Sequence, residues 1–186
     1  LLRYGVSVQI TVGAPHEQVH LIDWENPESN DFALAEEVTL RGGYERRPDI
    51  VLYINGIAVT VIELKRSSVD VANGIRQLRT NQEKIFNENF FSTIQLLFAG
   101  NDTQGLHYGT VTTHEKFFVQ WKSSNNDLSV SGSLLDYPLI EMCEKSQLLD
   151  LIRNFIIFDA GIKKVPRQHQ FDGVKAAQKR IQKQEG

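Results

Sequence analysis

Apolar and polar positions along this chain change period several times, and each change predicts an element. The strongest local signal lies between Ile50 and Leu64, where two Ile/Val-rich runs, Ile50–Ile54 and Ile57–Leu64, flank Asn55-Gly56, a β-hairpin pattern. Upstream, residues 5–12 alternate as a strand does, Gly13-Ala14-Pro15 breaks the run, and Gln18–Trp24 predicts another strand. Phe32–Leu40 ends in strand-like EEVTL after an ambiguous start, and Gly42-Gly43 turns the chain toward the hairpin. After Lys65 the polar RSSVDVANG is a connector. Ile75, Leu78, Ile85 and Phe86 then fall at helical spacing over Ile75–Phe86, with Gln77 on a different flank. Thr93–Ala99 is a short apolar run bounded by Gly100, a buried strand, with His107–Thr112 its expected neighbour. Phe117–Trp121 is apolar and aromatic without a clear period. Ser123–Ser133 is polar and predicts a surface loop, followed by helices over Pro138–Cys143 and Gln147–Phe155. Gln168–Gln184 predicts a basic helix whose apolar positions, Phe171, Val174, Ala177 and Ile181, form a narrow stripe.

The hairpin carries charges where an apolar strand should not. Glu63 stands between Val61-Ile62 and Leu64, and a carboxylate there needs a cation or a hydrogen-bond partner. Alternation along a strand puts Glu63 and Lys65 on one face. Asp49 joins them only in the right register. A two-residue turn at Asn55-Gly56 pairs Asp49 with Ile62, on the wrong face. A three-residue turn, with Gly56 in a G1 bulge, pairs Tyr53 with Ile57 and Asp49 with Val61, which makes Asp49 and Glu63 diagonal neighbours roughly 7–8 Å apart. The bulged turn is therefore the expectation.

Composition and charge narrow the class. The chain has 186 residues, 41% of them hydrophobic and 23% charged, the balance of a globular protein with one substantial core. No apolar run reaches the ~20 residues that span a bilayer, and the N-terminus lacks a basic leader before an apolar segment. A single cysteine, Cys143, excludes an internal disulfide framework and a cysteine-based zinc site, and fits a reducing cytoplasm. The net charge of -3 gives no global sign of nucleic acid, but residues 163–186 carry seven Lys or Arg against Asp172 and Glu185. Phosphate contacts elsewhere must be local, and Arg46, Arg47, Lys65, Arg66, Arg76 and Arg79 are the candidates. A solvated charged face is the default for such a cluster.

Two constellations carry possible chemistry. His16-Glu17-x-x-His20 matches H-E-x-x-H, which binds zinc when a helix puts both imidazoles on one face. Here Pro15 precedes it and strand-like residues follow, so the required helix is not expected. Asp49, Glu63 and Lys65, followed by a helix with Gln77, meet the needs of metal-dependent phosphodiester hydrolysis. Two carboxylates offer hard oxygen ligands for Mg²⁺, which polarises a phosphate and acidifies water, and a nearby ammonium stabilises negative charge. As letters alone, Pro-Asp and Glu-x-Lys are common and loosely spaced; they serve equally as a turn and a solvated ion pair.

Longer words are more specific. LIDWENPESNDF (residues 21–32), RRPDIVLYINGIAVTVIELK (46–65) and GIRQLRTNQ (74–82) together closely resemble the N-terminal nuclease region of the restriction, or motor, subunit of type I restriction-modification enzymes. The resemblance implies a PD-(D/E)xK fold, an α/β architecture with a mixed central sheet flanked by helices. It also implies Asp49 and Glu63 as Mg²⁺ ligands, Lys65 as the catalytic lysine, and Gln77 as the glutamine of a Q-x-x-x-Y motif. Asn81 stands in the tyrosine's place; it can hydrogen-bond but neither stacks nor extends as tyrosine does. RNFIIFD (153–159) and KKVPRQHQFDGVKAA (163–177) resemble the approach to the family's helicase-like motor, with Gln170 at the position that contacts adenine.

Residues 1–160 are thus expected to be the nuclease domain, lacking the family's N-terminal helix, and 161–186 a basic linker and helix leading to an ATPase downstream. No G-x-x-x-x-G-K-[ST] phosphate loop occurs, so ATP is a cofactor expected of the full-length subunit and not of this fragment. The implied function is Mg²⁺-dependent cleavage of double-stranded DNA after ATP-driven translocation. Specificity and methyltransferase subunits are the implied partners, no membrane is involved, and Arg66, Arg76 and Arg79 are the candidate DNA contacts. Activity is expected of the intact subunit more than of the fragment. The alternative is a non-catalytic module that grips DNA or couples the motor to its complex.

Overall fold

In the computed structural model, which describes residues 1–122 and 133–184, a short antiparallel pair leads the chain: β1 (Val6–Val8) and β2 (Glu17–Val19). A six-stranded sheet follows, formed by β3 (Phe32–Glu36), β4 (Ile50–Ile54), β5 (Ile57–Leu64), β6 (Leu96–Asn101), β7 (Gly105–Gly109) and β8 (Val119–Trp121), in that spatial order. All neighbours are antiparallel except β5 and β6. A parallel pair needs a crossover, and α1 (Val71–Asn81) with the short α2 (Glu88–Phe91) supplies it. The sheet is therefore mixed, and the fold is α/β with helices on both faces.

Side-chain alternation divides the core into two. On one face Val51, Val61, Leu97 and Ala99 pack with Val71, Ile75 and Leu78 of α1 and with Phe91. On the other, Ile62, Phe98, Tyr108 and Trp121 meet α3 (Asp136–Cys143), α4 (Lys145–Asp150) and the π-helical turn Leu151–Phe155. Two short paired strands, β9 (Ile157–Asp159) and β10 (Ile162–Lys164), then lead into α5 (Gln168–Gln184). The start of α5 is tied to the sheet. Phe171 packs on Phe155 and Trp121 with ring centroids 4.6 and 5.5 Å apart, and the Tyr108 hydroxyl donates to Pro166 O at 2.8 Å.

The register of the hairpin differs from the expected one. Ile54 pairs with Ile57, so Asn55 and Gly56 form a two-residue turn, both at positive φ (51° and 76°), and Gly56 makes no G1 bulge. The extra residue sits inside β5: Tyr53 pairs with Ala58 and Leu52 with Thr60, leaving Val59 unmatched. From there Ile50 pairs with Ile62, which brings Asp49 opposite Glu63. Asn55 also anchors the tip, accepting from Asp31 N and donating to Leu21 O and Asn30 Oδ1.

Other boundaries move for local reasons. The strand in residues 32–40 occupies the start of that segment, and Glu37, at φ 51°, ends it. Helix α1 begins at Val71, inside the expected connector, because the Asp70 carboxylate caps it by accepting from Ala72 N at 2.8 Å. It ends at Asn81, short of Phe86. There Gly43 N donates to Phe86 O at 2.7 Å, and a Cβ on Gly43 would lie 2.1 Å from Ile85 O, so only glycine permits this approach. Helix α5 spans the expected residues, but of its stripe Phe171 alone is buried, while Val174 and Ile181 are exposed. The loop expected at Ser123–Ser133 lies, but for its last residue, outside the described residues.

Phe171 is 6% exposed and Val174 45%. Phe171→Ala is expected to destabilise the chain by about 3–5 kcal/mol in urea unfolding. Val174→Ala should change it by less than about 0.5 kcal/mol.

Candidate active site

The two strands of the hairpin and α1 deliver four polar side chains to one place. β5 is the central strand, buried along most of its length, so Glu63 is 1% exposed although it is a carboxylate. Lys65, just past the strand, turns back on the same face, and its Nζ donates to Glu63 Oε1 at 2.7 Å and to Gln77 Oε1 at 2.9 Å. Gln77 reaches it because α1 lies close against β5. At Gly74, one turn before Gln77, a Cβ would touch the Cγ atoms of Glu63 and Lys65 at 3.5 Å. Asp49 closes the group from just before β4, and its Oδ2 accepts from Leu64 N at 2.6 Å.

Electrostatics at Glu63 are unbalanced. Burial pushes its pKa up to about 7; the Lys65 hydrogen bond pulls the other way, and the charge of Asp49 adds to the rise. One Lys65 contact does not compensate the carboxylate, and Glu63 Oε2 is buried without a hydrogen-bond partner. Asp49 and Glu63 thus make a two-carboxylate oxygen donor set with unused acceptor capacity. Among the described residues no group of three or more His, Cys, Asp or Glu converges.

The remaining candidates lie elsewhere. Arg66 is exposed beside Lys65. Arg76 donates to Glu115 Oε1 and Asn73 Oδ1, each at 2.7 Å, and Arg79 lines a cleft of about 420 Å³ with Thr112 and Glu115. Arg79 follows Gln77 by two residues, which places it on the opposite side of α1. Asn81 is 1% exposed, and neither its side-chain nitrogen nor its oxygen has a partner, so it makes no hydrogen bond to the Lys65 group. Gln170 is exposed and accepts from Arg167 N at 2.8 Å at the start of α5. His16 precedes β2 and His20 follows it, so no helix aligns them and the zinc reading fails. The Leu64 amide that holds Asp49 carries no side-chain signal and was not foreseeable from residue type.

An α/β domain with two carboxylates, a lysine and a glutamine gathered at the mouth of its central hairpin defines a class. The sequence comparisons make it specific. Residues 1–116 match the family described as type I restriction enzyme R protein N terminus (HSDR_N), and the chain belongs to that family. It is 30% identical over 193 residues to the type I restriction enzyme HindI endonuclease subunit of Haemophilus influenzae, covering 95% of this chain and 18% of that one. It is 25% identical over 151 residues to the type I restriction enzyme EcoprrI endonuclease subunit of Escherichia coli, covering 78% of this chain and 47% of that one. The chain thus spans less than half of either relative. No helix among the described residues is long and apolar enough to cross a membrane.

The raised pKa of Glu63 has a sign that can be measured. The native state holds a proton there that the unfolded chain releases in the ordinary carboxylate range. Stability from this group is therefore full at low pH and is lost as pH rises through about 7. Glu63→Gln keeps an acceptor for Lys65 and removes the ionisation. With a chelator present, its melting temperature should exceed wild type at pH 8, and the difference should shrink at pH 5.

Proposed function

We propose that this chain is the Mg²⁺-dependent DNA endonuclease domain of a type I restriction enzyme motor subunit, with a PD-(D/E)xK site. The observation that carries the reading is the Lys65 ammonium held between Glu63 and Gln77 beside Asp49. The donor set fits Mg²⁺. That ion takes one or two carboxylates and leaves its other positions to water and phosphate, and the partnerless Glu63 Oε2 is an oxygen in need of a cation. Asp49 and Glu63 would hold it. When bound, Mg²⁺ supplies Lewis-acid polarisation of a phosphate and lowers the pKa of water.

The protein's own groups do the rest. The Leu64 amide fixes one Asp49 oxygen. Glu63 and Gln77 restrain an otherwise flexible lysine, so that its positive charge sits where negative charge develops on a phosphate. Gln77 contributes through Lys65, as a positioning residue. Burial excludes water from Glu63, which strengthens each of these contacts.

The rest of the activity follows the family reading. The full-length subunit would bind ATP, with Gln170 at the adenine, translocate double-stranded DNA and act in the cytoplasm with specificity and methyltransferase subunits. Arg66, beside Lys65, is the best placed of the three candidate arginines for a phosphate near the site. Arg76 and Arg79 would contact DNA along the other side of α1. The competing reading, a module that only grips DNA or couples the motor, draws on Asn81, whose buried amide lacks partners and gives the site no tyrosine.

Nicking of supercoiled DNA by the full subunit complex, with ATP and Mg²⁺, separates the two. Glu63→Ala and Lys65→Ala should each lower cleavage by ~100-fold or more while translocation continues. Equal cleavage by wild type and both variants would sink the site assignment. Intact translocation without cleavage by wild type would favour the grip.

A further inference from the structure

Lys65 is held from two sides, by Glu63 on β5 and by Gln77 on α1, so the geometry at its ammonium depends on the offset between strand and helix. That offset is set where the chain leaves the sheet. Lys65 N still donates to Gly100 O at 2.9 Å, extending the β5–β6 ladder. Residues 66–70 then have no regular structure before α1 starts at Val71.

The turn between β6 and β7 grips this segment. Thr103 Oγ1 donates to Ser67 O at 3.1 Å, and Ser67 Oγ donates to Asp102 Oδ2 at 3.2 Å. Asn101 Nδ2 donates to Val69 O at 2.8 Å, and Gln104 Oε1 accepts from Val71 N at 2.7 Å. The last bond matters most. The first amides of a helix have no partner within it; Asp70 takes that of Ala72, and Gln104, from a different part of the sheet, takes that of Val71. Asn101 is buried and orients this glutamine, donating to Gln104 Oε1 at 3.0 Å and accepting from Gln104 N at 2.6 Å.

We infer that Gln104, braced by Asn101, is a positioning residue for Lys65: by capping α1 from the β6–β7 turn it sets where Gln77 meets the lysine ammonium. The inference rests on the nuclease reading for its consequence, though not for its geometry. A cap on any other helix would only stabilise the fold. This cap holds the helix that carries Gln77, at the end of the segment that begins at Lys65.

Gln104→Leu keeps the bulk and removes the acceptor. Gln104→Glu keeps an acceptor for both Val71 N and the Asn101 amide, and its charge is favoured at a helix N-terminus. In nicking of supercoiled DNA by the full subunit complex with ATP and Mg²⁺, Gln104→Leu should lower the rate at saturating DNA by ~10–100-fold. The half-saturating DNA concentration should change by less than ~2-fold, and Gln104→Glu should stay within ~3-fold of wild type. Thr103→Val, at an exposed position that tolerates the change, should lose ~3–10-fold and serves if Gln104→Leu folds poorly. Amide exchange at Val71 in this chain should quicken in Gln104→Leu and return in Gln104→Glu, whatever the chain cleaves.

A Gln104→Leu or Thr103→Val complex cutting at the wild-type rate overturns the inference. So does a Gln104→Glu complex that fails to rescue, or a loss carried by weaker DNA saturation. Unchanged Val71 exchange overturns the cap itself. If Lys65→Ala cuts like wild type, the nuclease reading falls, and the exchange data still judge the cap.

Discussion

A carboxylate buried on a central strand has to be compensated, and the α1 side of the sheet is arranged around that demand at Glu63. Moving such a charge out of water costs several kcal/mol even after relaxation, whereas a hydrogen bond to a charged partner returns about 1.5–3 kcal/mol. Lys65 alone therefore leaves a deficit. The geometry agrees with that balance, because Oε2 has no partner, and the same burial pushes the Glu63 pKa up to about 7. The cluster is stable enough to fold around but remains short of positive charge, which is the condition a cation site needs. The same shortage makes it a poor device for stability alone, since a well-packed apolar residue would serve the core better.

One extra residue in β5 makes the cluster possible. Strand parity is strict, so an uninterrupted hairpin from the Asn55-Gly56 turn would set Asp49 against Ile62 and point it to the far face. Val59 absorbs the mismatch, and Asp49 arrives opposite Glu63. The tip is meanwhile fixed by Asn55 and its contacts to Leu21, Asn30 and Asp31, so the register cannot be relieved by sliding the turn. At the other end, Gly42-Gly43 press against the backbone of Ile85 and Phe86 and tether the loop that leads into Pro48-Asp49. Hairpin, loop and helix thus constrain the same few side chains from separate directions.

The chain belongs to the type I restriction enzyme R protein N-terminal family, and DNA cleavage is the use proposed here for this cluster. The departure at Asn81 does not touch the Lys65 contacts. It leaves an unsatisfied amide one turn beyond Gln77, which burdens the helix without loosening the lysine. Arg76, by contrast, is spent on Glu115, and Arg79 lies on the opposite side of α1 from Gln77, so a basic letter near a site in sequence is a weak guide to its side in space.

What the sequence determined by itself is local: the hairpin, through Asn-Gly between Ile/Val runs; the awkwardness of Glu63 in an apolar strand; the Glu63–Lys65 shared face; and the limits of α5. These depend on residue type and short-range period, which a chain carries in one dimension. The words at residues 46–65 and 74–82 carried the family besides. The tertiary structure decided where the bulge falls: Val59, buried in the core on the face away from α1, is the unmatched residue, and no turn residue marks the place. It also decided that α1 begins at Val71, since that helix end is capped partly from Gln104, 33 residues away. And it decided that Gln77 meets Lys65, because the apolar stripe of Ile75 and Leu78 fixes which side of α1 packs on the sheet but not how far along the sheet the helix lies.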